Sequence, residues 1–361
     1  MAADLTYMRR ALELAERGRG RTSPNPLVGA VVVSPSGVIV GEGYHARAGE
    51  AHAEVHALEA AGPEARGATL YCTLEPCCHV GRTGPCVERI VAAGIARVVA
   101  AVEDPNPAVS GRGVAFLRAR RVRVDLGTAA EEAFRLNRPF FTYMRAGRPF
   151  VIMKVALSRD RRVAAAAGVR TGITSEAAAR HAHRVRAEVD ALGVGSTTVL
   201  VDDPLLTARS EEVRDRPLVR VVFDRRLRTP PTARLLSTLA HGPVIIVTAP
   251  AALIASAEPA RRLREAGATV EAVEPPTFAA ALQRLAAASV VTLVLEGGPT
   301  LHAAAWEAGL VDCVHLYAAP ISLGEEGVPW LPADVLSDLV ACRVQALGPD
   351  TFTEGHVHRT D

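Results

Sequence analysis

His52-Ala53-Glu54, followed one strand's length of chain later by Glu75-Pro76-Cys77-Cys78-His79-Val80-Gly81-Arg82-Thr83-Gly84-Pro85-Cys86, gathers an imidazole, a carboxylate and several thiols within about thirty-five residues. A catalytic zinc ion takes three protein ligands and keeps a fourth position open, and one imidazole with two thiolates is an established set. His52, Cys77 and Cys86 supply that set. Cys77 and Cys78 are adjacent, so the two do not easily reach one metal together. Cys86 instead opens the apolar-periodic segment 87–93, after a loop marked by Gly81, Gly84 and Pro85.

Glu54 stands two residues past His52, at the start of a helical pattern over 51–61, where its carboxylate can face the open coordination position without becoming a ligand. Its expected role is proton shuttle: it takes a proton from water and returns it to departing ammonia. A His-x-Glu followed by Pro-Cys and a second Cys is the pattern of zinc nucleobase deaminases, although here the second Cys is displaced. The chemistry is hydrolytic deamination of an amino-heterocycle. Two alternatives use the same residues. His56 shares a helix face with His52 and offers a two-His pair, and a closed structural site would recruit Cys72, Cys78 or His79 as a fourth ligand. Cys72 falls inside a strand-like run, where a buried apolar thiol is the ordinary reading.

A length of 361 residues exceeds one ordinary core and predicts two domains. With 41 basic and 39 acidic side chains and 4% aromatics, nothing favours a nucleic-acid polyanion or a base-stacking groove. A small molecule is the expected partner. The six cysteines form no disulfide framework, and thiolates meant for a metal imply a reducing compartment. Residues 1–17 read as an amphipathic helix without a signal peptide's apolar core, and no run reaches a membrane span, so a cytoplasmic protein without membrane contact is expected.

The first half reads as a helix, a hairpin (27–33 and 38–42 around Pro35-Ser36-Gly37), then helices alternating with strands 69–73, 97–102 and 122–124. This predicts a three-layer sheet with helices on both faces. Breakers at 145–149 place a boundary near residue 147, giving domains 1–147 and 148–361. The second domain repeats an α/β pattern with strands at 150–156, 189–193, 218–223, 244–248, 290–295 and 314–318. Its Gly193-Val194-Gly195 follows a strand but lacks the third glycine of a dinucleotide fingerprint. Glu296-Gly297-Gly298-Pro299-Thr300, between a strand and a helix, offers bare amides to a cofactor phosphate. Lys154 is the only lysine among the 41 basic residues, so a compact, deprotonatable ammonium is a candidate requirement there.

Ser23-Pro24-Asn25-Pro26-Leu27-Val28-Gly29, the His52-Ala53-Glu54 run, residues 73–86 and Asp104-Pro105-Asn106-Pro107 resemble the deaminase half of the bifunctional riboflavin-biosynthesis deaminase/reductase family. Residues 154–160, Ile173-Thr174-Ser175, 195–209 and 296–301 resemble its reductase half. The resemblance implies a cytidine-deaminase-like domain joined to a dihydrofolate-reductase-like α/β domain, with one zinc ion per chain, NADPH and a homo-oligomeric state. It implies that 2,5-diamino-6-ribosylamino-4(3H)-pyrimidinone 5′-phosphate loses its ring 2-amino group and that the ribosyl chain is then reduced to ribityl.

By position, Asn25, His45, His79, Arg82 and Asn106 match places that hold the deaminase substrate, and His79 and Arg82 suit its phosphate. Taken alone, Asn25 and Asn106 are ordinary turn formers. The resemblance likewise assigns Lys154, Arg170, Arg186, Leu206, Arg209 and Glu296 to the reductase substrate. It assigns Ala156, Gly172, Thr198, Asp202, Gly297, Gly298, Pro299 and Thr300 to the cofactor. Three positions depart from the family: Arg161 stands where Gly is usual, Arg170 where Ser is common and Gly172 where Trp is common. A deaminase-only homologue with an altered second domain is the alternative these departures suggest.

Overall fold

A computed structural model describes residues 2–78, 84–210, 214 and 216–357, and divides the chain into two compact units, Met1–Gly147 and Arg148–Asp361. Among the described residues no helix is long and apolar enough to cross a membrane.

In the first unit, β1 (Gly29–Val33), β2 (Ile39–Tyr44), β3 (Thr69–Cys72), β4 (Arg97–Ala100) and β5 (Arg123–Leu126) form a sheet ordered β2-β1-β3-β4-β5. β1 is antiparallel to β2 and β3, while β3, β4 and β5 are parallel. The helices are α1 (Ala2–Glu16), α2 (Ala53–Ala61), α3 (Cys86–Ala92), α4 (Arg112–Ala119), α5 (Ala130–Leu136) and α6 (Arg138–Ala146). Alternation along the strands separates two cores. Val31, Val33, Tyr71 and Val99 pack with Met8, Ala11 and Leu12 of α1. Ala30, Val32, Leu70 and Val98 pack with Ala57, Ile90 and Leu117 of α2, α3 and α4. The result is the expected three layers.

Glycine in β2 decides how deeply α2 seats. A Cβ at Gly43 would lie 2.4 Å from the Ala53 carbonyl oxygen, and one at Gly41 2.1 Å from that of Ala57. Any larger residue lifts the helix that begins beside His52.

The second unit contains β6 (Phe150–Leu157), β7 (Arg162–Ala164), β8 (Ala191–Gly195), β9 (Val219–Phe223), β10 (Val244–Thr248), β11 (Thr269–Ala272), β12 (Thr292–Leu295), β13 (Cys313–Ala318), β14 (Val328–Pro329), β15 (Leu339–Leu347) and β16 (Asp350–Val357). Nine of these strands form one sheet ordered β11-β10-β9-β8-β12-β6-β13-β16-β15, in which the run from β11 to β13 is parallel and β16 and β15 add antiparallel. Between them run α7 (Glu176–Glu188), α8 (Ser196–Asp202), α9 (Pro250–Ala255), α10 (Ala257–Glu265), α11 (Phe278–Ala287) and α12 (Pro299–Glu307). Val151, Met153 and Val155 of β6 face the core that includes α11, whereas Phe150 and Ile152 face the core that includes α10. β12, late in sequence, inserts between β8 and β6. The carboxyl ends of strands distant in sequence therefore lie side by side within the sheet, where parallel α/β sheets place their ligands.

Candidate active sites in the two units

His52 is the N-cap of α2, and its carbonyl accepts from Val55 and His56. Its ring is left to the site. Cys86 opens α3, and its backbone N–H donates to Cys77 Sγ at 3.4 Å. His52 Nδ1 lies 3.3 Å from Cys86 Sγ and 3.4 Å from Cys77 Sγ, with all three ligand atoms within 4.8 Å of one another. Zinc–nitrogen and zinc–sulfur bonds of ordinary length in a tetrahedron put N and S about 3.5 Å apart, so the donor set fits zinc in both chemistry and spacing. His56 and Cys72 do not join this group. Cys78 turns its Sγ toward the Ala108 carbonyl oxygen at 3.9 Å.

A hydrogen bond from Cys86 is the first reason that the Cys77 thiol sits well below the usual range, and His52 reinforces it; Cys86, donating that bond and buried, is pushed up. The pair thus shares a proton that metal binding would displace. Glu54 is 3% exposed and its Oε2 is buried without a hydrogen-bond partner. Burial first, and the Cys77 thiolate second, push its carboxyl up to about 7. That value suits a group that must both accept and return a proton near neutrality.

His45 packs edge-on against His52, with ring centroids 5.5 Å apart. Its Nδ1 lies 3.1 Å from the Ala51 carbonyl oxygen, which can only accept. Nδ1 therefore carries the proton, and Nε2 accepts from Asn25 Nδ2 at 3.1 Å. Burial depresses the His45 pKa and keeps the ring neutral. Asn106 does what its turn-former reading predicts: its Oδ1 accepts from Ala108 N at 3.0 Å. His79 and Arg82 lie outside the described residues.

The sequence reading assigned Glu75 no role, yet its buried carboxylate accepts from the backbone N–H groups of Asp104 (3.2 Å), Gly111 (2.9 Å) and Val114 (3.1 Å). It ties the Asn106 loop and the start of α4 to the Cys77 segment. Only its position next to Pro76-Cys77 hinted at this.

In the second unit, Lys154 on β6, Glu296 after β12 and Arg186 on α7 converge. Arg186 forms a two-pronged ion pair with Glu296 (2.7 and 2.5 Å) and donates to the Thr207 carbonyl at 3.0 Å. Burial works to raise the Glu296 carboxyl, but Arg186 and then Lys154 override it and hold it at about 2. Burial lowers Lys154 against the pull of Glu296. The Lys154 ammonium also sits 5.4 Å from the centre of the Tyr317 ring.

His183, not singled out from sequence, interacts electrostatically with Lys154, Arg186, Arg209 and Glu296, and its Nδ1 accepts from Arg209 N at 3.1 Å. The available signal was its place one helical turn before Arg186. Leu206 is buried at φ +52°. Ala156 lies on β6 beside the Tyr317 and Phe352 cluster.

Gly298 caps α12, with Pro299 and Thr300 in its first turn. A Cβ at Gly297 would come within 3.3 Å of Gly195 N, and one at Gly298 would reach Thr198 Oγ1 at 4.0 Å. The starts of α8 and α12 thus lie side by side, with the Leu301 side chain packed against Gly297. Arg170 acts electrostatically on Asp202, linking a substrate candidate to a cofactor candidate. A Cβ at Gly172 would meet nothing within 4 Å.

Residues 1–102 match the family model described as cytidine and deoxycytidylate deaminase zinc-binding region, and residues 149–353 match the RibD C-terminal domain. The riboflavin biosynthesis protein RibD of Aquifex aeolicus is 42% identical over 322 residues, covering 89% of this chain and 88% of that protein. RibD of Escherichia coli is 41% identical over 367 residues, covering 96% and 97%. The structure of Acinetobacter baumannii RibD superposes with a TM-score of 0.88 at 35% identity, covering 99% of both chains. The structure of a Thermotoga maritima diaminohydroxyphosphoribosylaminopyrimidine deaminase/5-amino-6-(5-phosphoribosylamino)uracil reductase gives 0.82 at 31% identity with the same coverage.

Proposed function

The chain belongs to the RibD family, and from that premise we propose that it is a bifunctional enzyme of riboflavin biosynthesis that deaminates a pyrimidine and then reduces its sugar. The first unit, cytidine-deaminase-like, hydrolyses the ring 2-amino group of 2,5-diamino-6-ribosylamino-4(3H)-pyrimidinone 5′-phosphate. The second, dihydrofolate-reductase-like, converts the ribosyl chain to ribityl, giving 5-amino-6-ribitylamino-uracil 5′-phosphate. The observation that carries this reading is the convergence of His52 Nδ1, Cys77 Sγ and Cys86 Sγ beside the buried Glu54 carboxylate, whose Oε2 has no hydrogen-bond partner.

Zinc held by His52, Cys77 and Cys86 supplies Lewis acidity and a water molecule of lowered pKa. Glu54 takes the water proton on Oε2 and delivers it to the leaving nitrogen. Asn25, oriented by neutral His45, directs its Oδ1 to a donor on the ring; Asn106, and His79 and Arg82 by their place in the family pattern, complete substrate binding.

For the second reaction a nicotinamide cofactor supplies hydride, and NADPH is the form we propose. Arg225, Arg226 and Arg228 are exposed just past the end of β9, and Arg228 bonds Ser196 Oγ (2.7 Å) and Thr197 Oγ1 (3.2 Å) at the start of α8. Such a cluster suits a 2′-phosphate. The amides at Gly297, Gly298 and Thr300, with Thr198, Asp202, Ala156 and Gly172, would hold the rest of the cofactor. Lys154, kept deprotonatable by burial and oriented by Glu296, supplies a proton from Nζ. Arg186 fixes Glu296, and Arg209, Arg170 and the Leu206 turn border the substrate.

Thiolate ligation favours the reducing cytoplasm. The open edge of β15, with Val340 and Val344 exposed, favours self-association. Cys86→Ser tests the division of labour: it should lose zinc and ammonia release together, while reduction of independently supplied deaminated intermediate continues. Full deamination with zinc retained would refute the ligand assignment.

A further inference from the structure

We infer that the second unit carries a metal site of its own, in which Cys313, Glu354 and His356, with His315 beside them, hold a divalent transition cation of the zinc class. β13 and β16 run antiparallel with Cys313 opposite His356 and His315 opposite Glu354. Alternate residues of a strand face the same way, so all four side chains stand on one face of the sheet as two neighbouring cross-strand pairs. One ligand atom each from Cys313, Glu354 and His356 lies within 4.8 Å of the other two.

The distances are those of donors around a common ion. His356 Nε2 is 3.6 Å from one Glu354 oxygen, and His315 Nε2 is 3.8 Å from the other. Both exceed a normal hydrogen bond, while N and O donors on a tetrahedral zinc stand about 3.4 Å apart. Two imidazoles thus face the two oxygens of one carboxylate, each beyond the length of a normal hydrogen bond. His315 is only 7% exposed, and the Nδ1 atoms of His315 and His356 are buried without a hydrogen-bond partner. Buried imidazoles are ordinarily satisfied at both nitrogens. Here each ring lacks a partner on one side and stands off from it on the other.

The donor set selects the ligand. A thiolate and imidazoles favour zinc, cobalt(II) or nickel(II) over magnesium or calcium, and one carboxylate completes a neutral to weakly charged site. It differs from the two-thiolate set in the first unit, so the two sites should be spectroscopically distinguishable. Its occupation would clamp β13 to β16, joining the parallel part of the sheet to its antiparallel edge.

The test uses the full chain, stripped with a chelator under reducing conditions and titrated with cobalt(II), with bound metal counted by elemental analysis and thiolate-to-cobalt charge transfer read in the near ultraviolet. Wild type should saturate at about two equivalents per chain. His356→Ala and Cys313→Ala should each fall to about one, with the spectrum of the two-thiolate site intact and ammonia release unchanged. Cys77→Ser with Cys86→Ser should retain about one equivalent with a weaker thiolate band, which Cys313→Ala then abolishes. Saturation of wild type at one equivalent overturns the inference, and that measurement depends on no variant folding. So does retention of a second equivalent in the Cys313→Ala and His356→Ala variants.

Discussion

Replacing Glu54 with Gln keeps the volume of the side chain and removes only its capacity to carry a proton. The residue is 3% exposed, with Oε2 unpartnered beside the His52, Cys77 and Cys86 trio, so the consequences divide cleanly. Zinc content should be unchanged, and ammonia release should fall by about two or more orders of magnitude, the range for loss of a positioned proton shuttle. Stability carries an independent signature. Burial, then the Cys77 thiolate, raise the carboxyl from 4.5 to about 7, a difference of about 3 kcal/mol between protonation states in the metal-free protein. The folded chain binds this proton more tightly than the unfolded chain does. The contribution is therefore fully present below 4.5 and disappears as pH rises through about 7. Metal-free wild type should lose up to about 3 kcal/mol across that window from this group, and Glu54→Gln should not. Denaturant titrations of both metal-free proteins at about pH 5 and pH 8, read by hydrogen exchange in α2, measure it. Loss of zinc in the variant would make Glu54 a ligand; identical pH dependence in the two proteins would contradict its burial as a raised carboxyl.

Gly43→Ala should lift α2 off β2, since its Cβ would fall 2.4 Å from the Ala53 carbonyl, and should cut ammonia release by about a hundredfold while sparing reduction of supplied intermediate. Steady-state rates for the two half-reactions check it. Arg161 sits at φ +61°, where the family usually has Gly, so Arg161→Gly should stabilise the second unit by about 1 kcal/mol, visible as a raised urea midpoint. Because a Cβ at 172 meets nothing within 4 Å, Gly172→Trp has room to pack on the cofactor and should tighten NADPH by about fivefold in a fluorescence titration.

The cluster of His52, Glu54, Cys77 and Cys86 was legible because its parts are local: His52 and Glu54 at a helix start, Cys77 and Cys86 nine positions apart. The hairpin and the parallel strands of both units other than β11 were legible for the same reason, each being a short apolar run bounded by turn residues. β15 and β16 were not. Most of β15 is exposed and shows no apolar alternation, because it lies at a sheet edge with little to bury. β11 is four residues long with Glu271 in it, too short for a period to register. Glu75 reads as an ordinary acid until the chain brings Asp104, Gly111 and Val114 onto it. Arg186 and Glu296 are 110 positions apart and meet only because β12 inserts between β8 and β6. Cys313 carries no local signal for a similar reason: Cys-x-His and Glu-x-His become one cluster only when β16 is laid antiparallel on β13.

The central claim is that one chain performs two chemically separate steps. Purified protein incubated with 2,5-diamino-6-ribosylamino-4(3H)-pyrimidinone 5′-phosphate, with and without NADPH, tests it directly when ammonia and NADPH absorbance are followed separately. Ammonia should appear at the same initial rate in both mixtures, and NADPH should be consumed only after a lag in which the deaminated intermediate accumulates. NADPH oxidation without prior ammonia release, or ammonia release with no NADPH consumption at any time, would contradict the account.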